Sequence, residues 1–260
     1  MALGPAHRFQ SFITTSASAT PVLPAMHTCF GRSFIRIMES GTIAAGRLDP
    51  IVGKEASFFF YGKPSYRPKS DGRSSNSIWS ALYTFILDYN KLPCPSSMLP
   101  FDSGGYDLFY KDICENADID EYYLPDGKDS PSQVVSAFFG DNSAYYEMAI
   151  RSDLSNRISK LDFHSDSLKQ ICSPNNKTTY DQRAASIELH FIDPITLRPD
   201  NVLAIVGPST ALEEPEIVAF AGKLDAERVP YELDHDHVDA RQRQIRDATR
   251  AWLKTEKYLV

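Results

Sequence analysis

The sequence predicts an α+β fold, and three observations carry that prediction. Short apolar or alternating segments of strand character occur at 22–28, 57–61, 186–192 and 202–206. Helical periodicity is confined to 30–41, to broken pieces within 132–151, to 214–224 and to the last stretch from 238. These helices cluster instead of alternating strictly with strands, which sets the order apart from a doubly wound parallel sheet. The 260 residues suit one large domain or two small ones.

Residues 1–20 contain no acid and are rich in Ser, Thr and Ala; the first acidic residue is Glu39. The segment lacks the Arg-rich amphipathic face of a transit peptide and the continuous apolar core of a secretory signal. It is expected to be a loosely ordered extension ahead of a single domain at 21–260. The first strand, at 22–28, ends on His27 and Thr28. Phe30, Phe34, Ile37 and Met38 then recur at helical spacing up to Gly41, a residue suited to a left-handed C-cap. His27 is thereby placed at a strand–helix junction.

The run SFFFY at 57–61 is apolar on consecutive positions, as in a strand buried on both faces, and Gly62 and Pro64 end it. Residues 69–77 are polar and turn-like. The run at 80–88 fits either element: its aromatic and β-branched content favours strand, while Ser77 would cap a helix. From 92 to about 180 the chain is rich in Pro, Gly, Asp and Tyr, the composition of a long irregular insertion layered on the surface; such loops are functional or hide short elements. Within it, 132–139 and 144–151 read as helical pieces broken at Gly140, and SPNNKTT at 173–179 as a disordered tip.

At 186–192 the pattern alternates, with Ile187, Leu189 and Phe191 on one face and Glu188 and His190 on the other, the mark of a half-buried strand. Residues 202–206 (VLAIV) form a continuous apolar strand before Gly207 and Pro208. Ile217, Phe220, Ala221 and Leu224 share one helix face, with Pro215 in the first turn. A short strand is expected at 229–233. Val238, Ile245 and Trp252 line one face of a final, otherwise highly charged helix.

Composition limits the chemistry. A net charge of −7 and a pI near 5.4 argue against a protein that coats duplex nucleic acid, because that binding needs Lys and Arg to displace counterions. A local basic and aromatic groove for single-stranded nucleic acid stays open. The tyrosines at 106, 110, 122, 123, 145 and 146 could line such a groove, although an aromatic core is the commoner use of such rings. No apolar run approaches the roughly 20 residues of a membrane-spanning helix. Cys29, Cys94, Cys114 and Cys172 form no CxxC pair, which fits reduced thiols in a cytoplasmic protein. The phosphate-loop, dinucleotide-fold and nucleophile-elbow signatures are all absent. The run DHDHVD at 234–239 allows two readings. His235, His237 and Asp239 suit the metal site of a hydrolase or nuclease, and the same residues suit the cap and first turn of the helix that follows.

Three further side chains have plain accounts when taken singly. His27 would be a hydrogen-bonded, partly buried histidine, Tyr61 a core aromatic and Glu188 a solvated carboxylate. Taken in order, a His after a first strand, a Tyr on a second and a Glu on a late strand resemble the ADP-ribosyltransferase superfamily in its His-Tyr-Glu, diphtheria-toxin-like branch. MHTCFGRSFIRIMESG (26–41) resembles that family's opening strand and helix. FFFYGKPSYRP (58–68) resembles the Tyr-bearing strand, which in DarT-type DNA ADP-ribosyltransferases is aromatic and then Pro-rich. RAASIELHF (183–191) followed by VLAIVGP resembles the late strand with its Glu.

The resemblance implies a split antiparallel sheet with the 92–180 stretch inserted. It also implies NAD as substrate and transfer of ADP-ribose to a protein, a nucleic acid or water. On this reading Glu188 steadies the positive charge that develops as the nicotinamide–ribose bond breaks, as in glycoside cleavage. Tyr61 stacks on nicotinamide, and His27 with Thr28 holds the adenosine-side ribose. Arg47, Lys63, Arg67 and Arg183 are the candidate cations for the pyrophosphate. A bacterial toxin or anti-phage effector, with an inhibitory or immunity partner, would be typical of the family. A non-catalytic binding module on the same fold is the alternative.

Overall fold

The computed structural model describes residues 5–46, 48, 53, 55–66, 77–173, 184–233 and 238–260. Among them run the strands β1 (Ala25–Phe30), β2 (Thr42–Ile43), β3 (Ser57–Tyr61), β4 (Leu82–Leu87), β5 (Ser97–Leu99), β6 (Glu188–Phe191), β7 (Ile195–Thr196), β8 (Val202–Pro208) and β9 (Glu227–Tyr231). Seven of these form one sheet in the order β5-β6-β3-β1-β4-β8-β9, while β2 and β7 pair separately. Every ladder in the large sheet is antiparallel except β8 with β9. With helices grouped around a mixed sheet, the chain is α+β.

One irregularity in the sheet positions the site. β1 pairs with β4 along its whole length, from Ala25↔Leu87 to Phe30↔Leu82. On its other side it meets β3 only at Ala25↔Tyr61 and Met26↔Phe60. From His27 onward β1 has no ladder to β3, so the β3-β6-β5 half of the sheet joins the rest through a two-residue contact. His27 therefore sits inside a strand, where β1 loses one neighbour, and not at the strand's end.

Helix α2 (Gly31–Ser40) starts directly after β1. Gly31 permits this, since a Cβ there would lie 2.3 Å from the carbonyl oxygen of Ile78. Gly41, in the left-handed region at φ 65°, ends the helix and donates its N–H to the carbonyl of Ile37. Phe34 is fully buried and stacks on Tyr83 at 4.3 Å between ring centres, anchoring α2 to the sheet; burial of such a ring contributes roughly 1.5–3 kcal/mol.

The first residues are not a loose extension. Pro5–Thr14 is a helix, α1, with Phe9 and Ile13 fully buried and Phe12 edge-on to Phe138. The i, i+3, i+4 spacing of these three side chains supplies an apolar face, which the lack of acids concealed.

The segment from 92 on is likewise more than a surface layer. It contributes β5 and the helices Ser130–Val134, Asn142–Tyr146, Leu154–Arg157 and Phe163–Ile171. The first of these helices runs into a wider turn over Val135–Phe139 that Gly140 ends at φ 97°. Tyr106, Tyr110, Tyr122, Tyr145 and Tyr146 are buried and Tyr123 is half-buried, so these rings form core, not a groove. Phe101 is their hub, stacked on Tyr106 and edge-on to Tyr122. Residues 174–179 of the expected tip lie outside the described residues.

The 80–88 run is strand β4. The helix Pro215–Lys223 lies where periodicity places it, and β9 overlaps the strand expected at 229–233 but starts and ends two residues earlier. Ile245 and Trp252 face inward from the last helix, Val238–Thr255. The half-buried reading of 186–192 needs correction, because all four residues of β6 are buried. β6 lies between β5 and β3, and the insertion covers the face that carries Glu188 and His190. No helix of the described residues is long and apolar enough to cross a membrane.

Candidate functional site

The loss of β3 beside β1 leaves Phe58 without a ladder partner on β1, and the His27 side chain fills that role. Its Nδ1 lies 3.0 Å from the carbonyl oxygen of Phe58. A carbonyl only accepts, so Nδ1 carries the proton and Nε2 keeps a lone pair. Burial pushes the imidazole down to about 4, with the Phe58 bond opposing the shift, so His27 is neutral at pH 7.

A cavity of about 590 Å³ opens at this place, within the range of small-ligand sites. β1 contributes His27 and Thr28 to its lining, β3 contributes Phe58 and Phe60, and β6 contributes Glu188. Tyr66 adds a third aromatic side chain, held edge-on to Phe30 at 5.0 Å. Exposed Arg36 of α2 supplies a cation at the rim, and the Asp102–Gly104 turn supplies a second, buried carboxylate. Thr28 is tied across to β4 by a 2.8 Å contact between its hydroxyl and that of Thr84.

Glu188 is 2% exposed and has a partner for each oxygen. Oε1 accepts from Nε2 of His190 at 2.6 Å, and Oε2 accepts from the backbone N–H of Ser103 at 3.2 Å. The turn that presents Ser103 is fixed by Asp102, whose Oδ1 accepts from the N–H of Gly104 at 3.0 Å. His190 is fully buried, its Nδ1 lies 2.8 Å from the hydroxyl of Ser97 on β5, and its ring is edge-on to Phe58. A carboxylate so placed is an oriented negative charge that can face a cation or accept from a hydroxyl. Flat walls suit an aromatic ring, and a guanidinium at the rim suits phosphate.

Of the residues the sequence singles out, His27, Thr28 and Glu188 come together and Tyr61 does not. Phe60 pairs with Glu188 across β3 and β6. The two-residue period of a strand then turns Tyr61 to the opposite face. There its hydroxyl accepts from the buried N–H of Leu23 at 2.9 Å, and its carbonyl accepts from the hydroxyl of Tyr145 at 2.7 Å. Tyr61→Phe is accordingly a stability variant. It is expected to cost about 1–2 kcal/mol in a denaturant titration by orphaning the Leu23 N–H, with ligand affinity at the cavity unchanged; a loss of affinity at wild-type stability would contradict this placement.

Lys63 also lies away from the cavity. It is 4% exposed, its ammonium sits 4.2 Å from the Tyr145 ring centre, and Nζ has no hydrogen-bond partner among the described residues. Among the cations that the resemblance offers for the pyrophosphate, Lys63 is thus a core residue, carried inward by the turn at Gly62. Arg47, Arg67 and Arg183 lie outside the described residues, as do 234–237 and the side chain of Asp239. Among the described residues no group of His, Cys, Asp and Glu has the arrangement of a metal site.

Sequence reasoning missed His190, Tyr66, Arg36 and the Asp102–Gly104 turn. Only His190 left a usable signal, since its i+2 spacing from Glu188 on an alternating strand puts both side chains on one face. Comparison with protein-family models, curated proteins and solved structures finds no match to this chain.

Proposed function

We propose that the chain is an NAD-dependent ADP-ribosyltransferase, with the cavity beside β1 as its NAD site. The observation that carries this reading is the buried Glu188 carboxylate, oriented by two donors and lining the same cavity as His27 and the aromatic wall. In the reaction the bond between C1′ of the ribose and the pyridinium nitrogen breaks. Its electron pair goes to nicotinamide, which leaves neutral, and positive charge develops at C1′ as in glycoside cleavage. Glu188 faces that charge. An acceptor atom on a protein, a nucleic acid or water bonds to C1′ and gives up its proton.

The flat surface for nicotinamide passes from Tyr61 to Phe58, Phe60 and Tyr66. The unprotonated Nε2 of His27 accepts from a ribose hydroxyl, and Arg36 takes over as the pyrophosphate cation. A cytoplasmic toxin or anti-phage effector held in check by an immunity partner is the biological setting that goes with this reading. A binding module without catalysis, or a metal-dependent hydrolase at 234–239, would behave differently in one assay.

Purified protein with NAD and no added metal is expected to release nicotinamide, and saturating NAD is expected to raise the melting temperature. A concentration 100 times the dissociation constant adds about 2.7 kcal/mol of stability. Arg36→Ala should weaken NAD binding about 10-fold, the loss of one charge-assisted contact. A thermal shift without nicotinamide release under any acceptor condition would favour the binding module. Absence of both overturns the NAD reading.

A further inference from the structure

We propose that His190, itself held by Ser97, is a positioning residue that sets the Glu188 carboxylate toward the cavity; this inference rests on the reading of Glu188 just given. Ser97, His190 and Glu188 form a continuous chain of short contacts, 2.8 Å from hydroxyl to Nδ1 and 2.6 Å from Nε2 to Oε1. Glu188 and His190 are both buried, and Ser97 is half-buried at the outer end on β5. An ionised carboxylate can only accept, so Nε2 carries the proton. In the Nε2–H tautomer the ring accepts from Ser97 at Nδ1. The carboxylate thereby sets the tautomer, Ser97 holds the ring in place by donating to its other nitrogen, and His190 fixes the carboxylate rotamer.

The same three residue types build nucleophilic triads in which the hydroxyl attacks. Here the polarity is reversed, because Glu188 lines the cavity and Ser97 does not. The working end is the carboxylate, and the serine is its outermost support. Ser96, just ahead of β5, holds the backbone of the same residue, since its N–H and hydroxyl both donate to the His190 carbonyl, at 2.8 and 2.9 Å. A function follows for the start of the insertion. β5 braces the relay from one side, and the Asp102–Gly104 turn supplies the donor to the second carboxylate oxygen.

The test uses nicotinamide release by the full chain. His190→Leu removes the donor and should lower kcat about 10–100-fold, the usual cost of losing a supporting contact of this type, with KM nearly unchanged. His190→Gln returns an N–H to the Nε2 position and should recover most of that loss. Ser97→Ala should lower kcat by a smaller factor, again without a change in KM. Wild-type kcat in His190→Leu, or no recovery in His190→Gln, overturns the proposal.

Nitrogen NMR of the imidazole, without NAD, reads the relay independently of turnover and of how His190→Leu folds. The Nε2–H tautomer is expected, with its resonance displaced in Glu188→Gln and the tautomer balance altered in Ser97→Ala. An Nδ1–H tautomer, or indifference to Glu188→Gln, overturns the relay even in an active enzyme. A wild-type protein that releases no nicotinamide yet shows the expected resonances would overturn the transferase reading and leave the positioned carboxylate standing.

Discussion

Glu188→Gln is expected to lower kcat for nicotinamide release by about 10²–10³-fold, the usual size of losing one preorganised electrostatic partner of a transition state. The substitution keeps the shape of the side chain and removes its charge. Because charge at C1′ develops only as the bond to nicotinamide breaks, the loss should fall on kcat, while NAD affinity measured by calorimetry stays within a few-fold of wild type. A stability cost comes with it. The carboxylate accepts from His190 and from Ser103, whereas an amide presents one acceptor and one donor. One of those two N–H groups then faces another N–H in a buried site, which costs about 1–3 kcal/mol. Activity is therefore to be compared at a temperature where both proteins are folded. Wild-type kcat in a folded Glu188→Gln protein would remove Glu188 from the chemistry.

Lys63→Met is expected to stabilise the protein by about 2–4 kcal/mol at pH 7 and below, because it replaces a buried charge with an apolar chain of similar length. Burial pushes the ammonium down to about 7 from 10.5; nearby Arg246 adds to this, and Cys172 and Glu147 oppose it. At roughly 1.4 kcal/mol per pH unit, the gap between those values sets an upper bound near 5 kcal/mol. The Tyr145 ring under the ammonium offsets part of the burial cost.

The sign follows from proton counting. Between pH 7 and 10.5 the unfolded chain holds a proton on Lys63 that the folded chain has released, so folding stability from this group rises with pH across the window. Below pH 7 both states are protonated and the full penalty applies. The difference between wild type and Lys63→Met should thus shrink steadily from pH 7 to 8.5 in urea titrations. Taking the difference cancels the buried tyrosines and cysteines, which are common to both proteins. A variant less stable than wild type at pH 6 would show that the amine has a partner worth more than its burial costs.

Legibility in the sequence differed from element to element. β3 coincides with the aromatic run at 57–61, and Gly41 ends α2 as its position predicts. Both depend on local chemistry, apolar continuity in one case and freedom at positive φ in the other. His27, Thr28 and Glu188 were identifiable as site candidates through order and residue type, and the fold brings them to one cavity. Tyr61 lies one position away from the cavity-lining face in a two-residue period. Phe60 and Tyr61 are equally aromatic in the sequence, and only the pairing of Phe60 with Glu188 decides which of them faces the site. Polar composition misled at α1, where apolar spacing lay beneath it, whereas the helical pieces on either side of Gly140 in the insertion follow the sequence reading.

Residue periodicity by itself determined the α+β class, most strand positions and the shared face of Glu188 and His190, because repeat length and turn chemistry are properties of neighbouring residues. Tertiary structure alone decided that β1 parts from β3 after Met26, that Lys63 turns inward, and that Ser97 and Ser103, from a segment that reads as a loop, hold the two residues of β6. A strand pattern states which side chains share a face. It does not state what covers that face, since the covering residues lie about 85 to 93 positions away in the chain and are brought there only when the sheet closes around them.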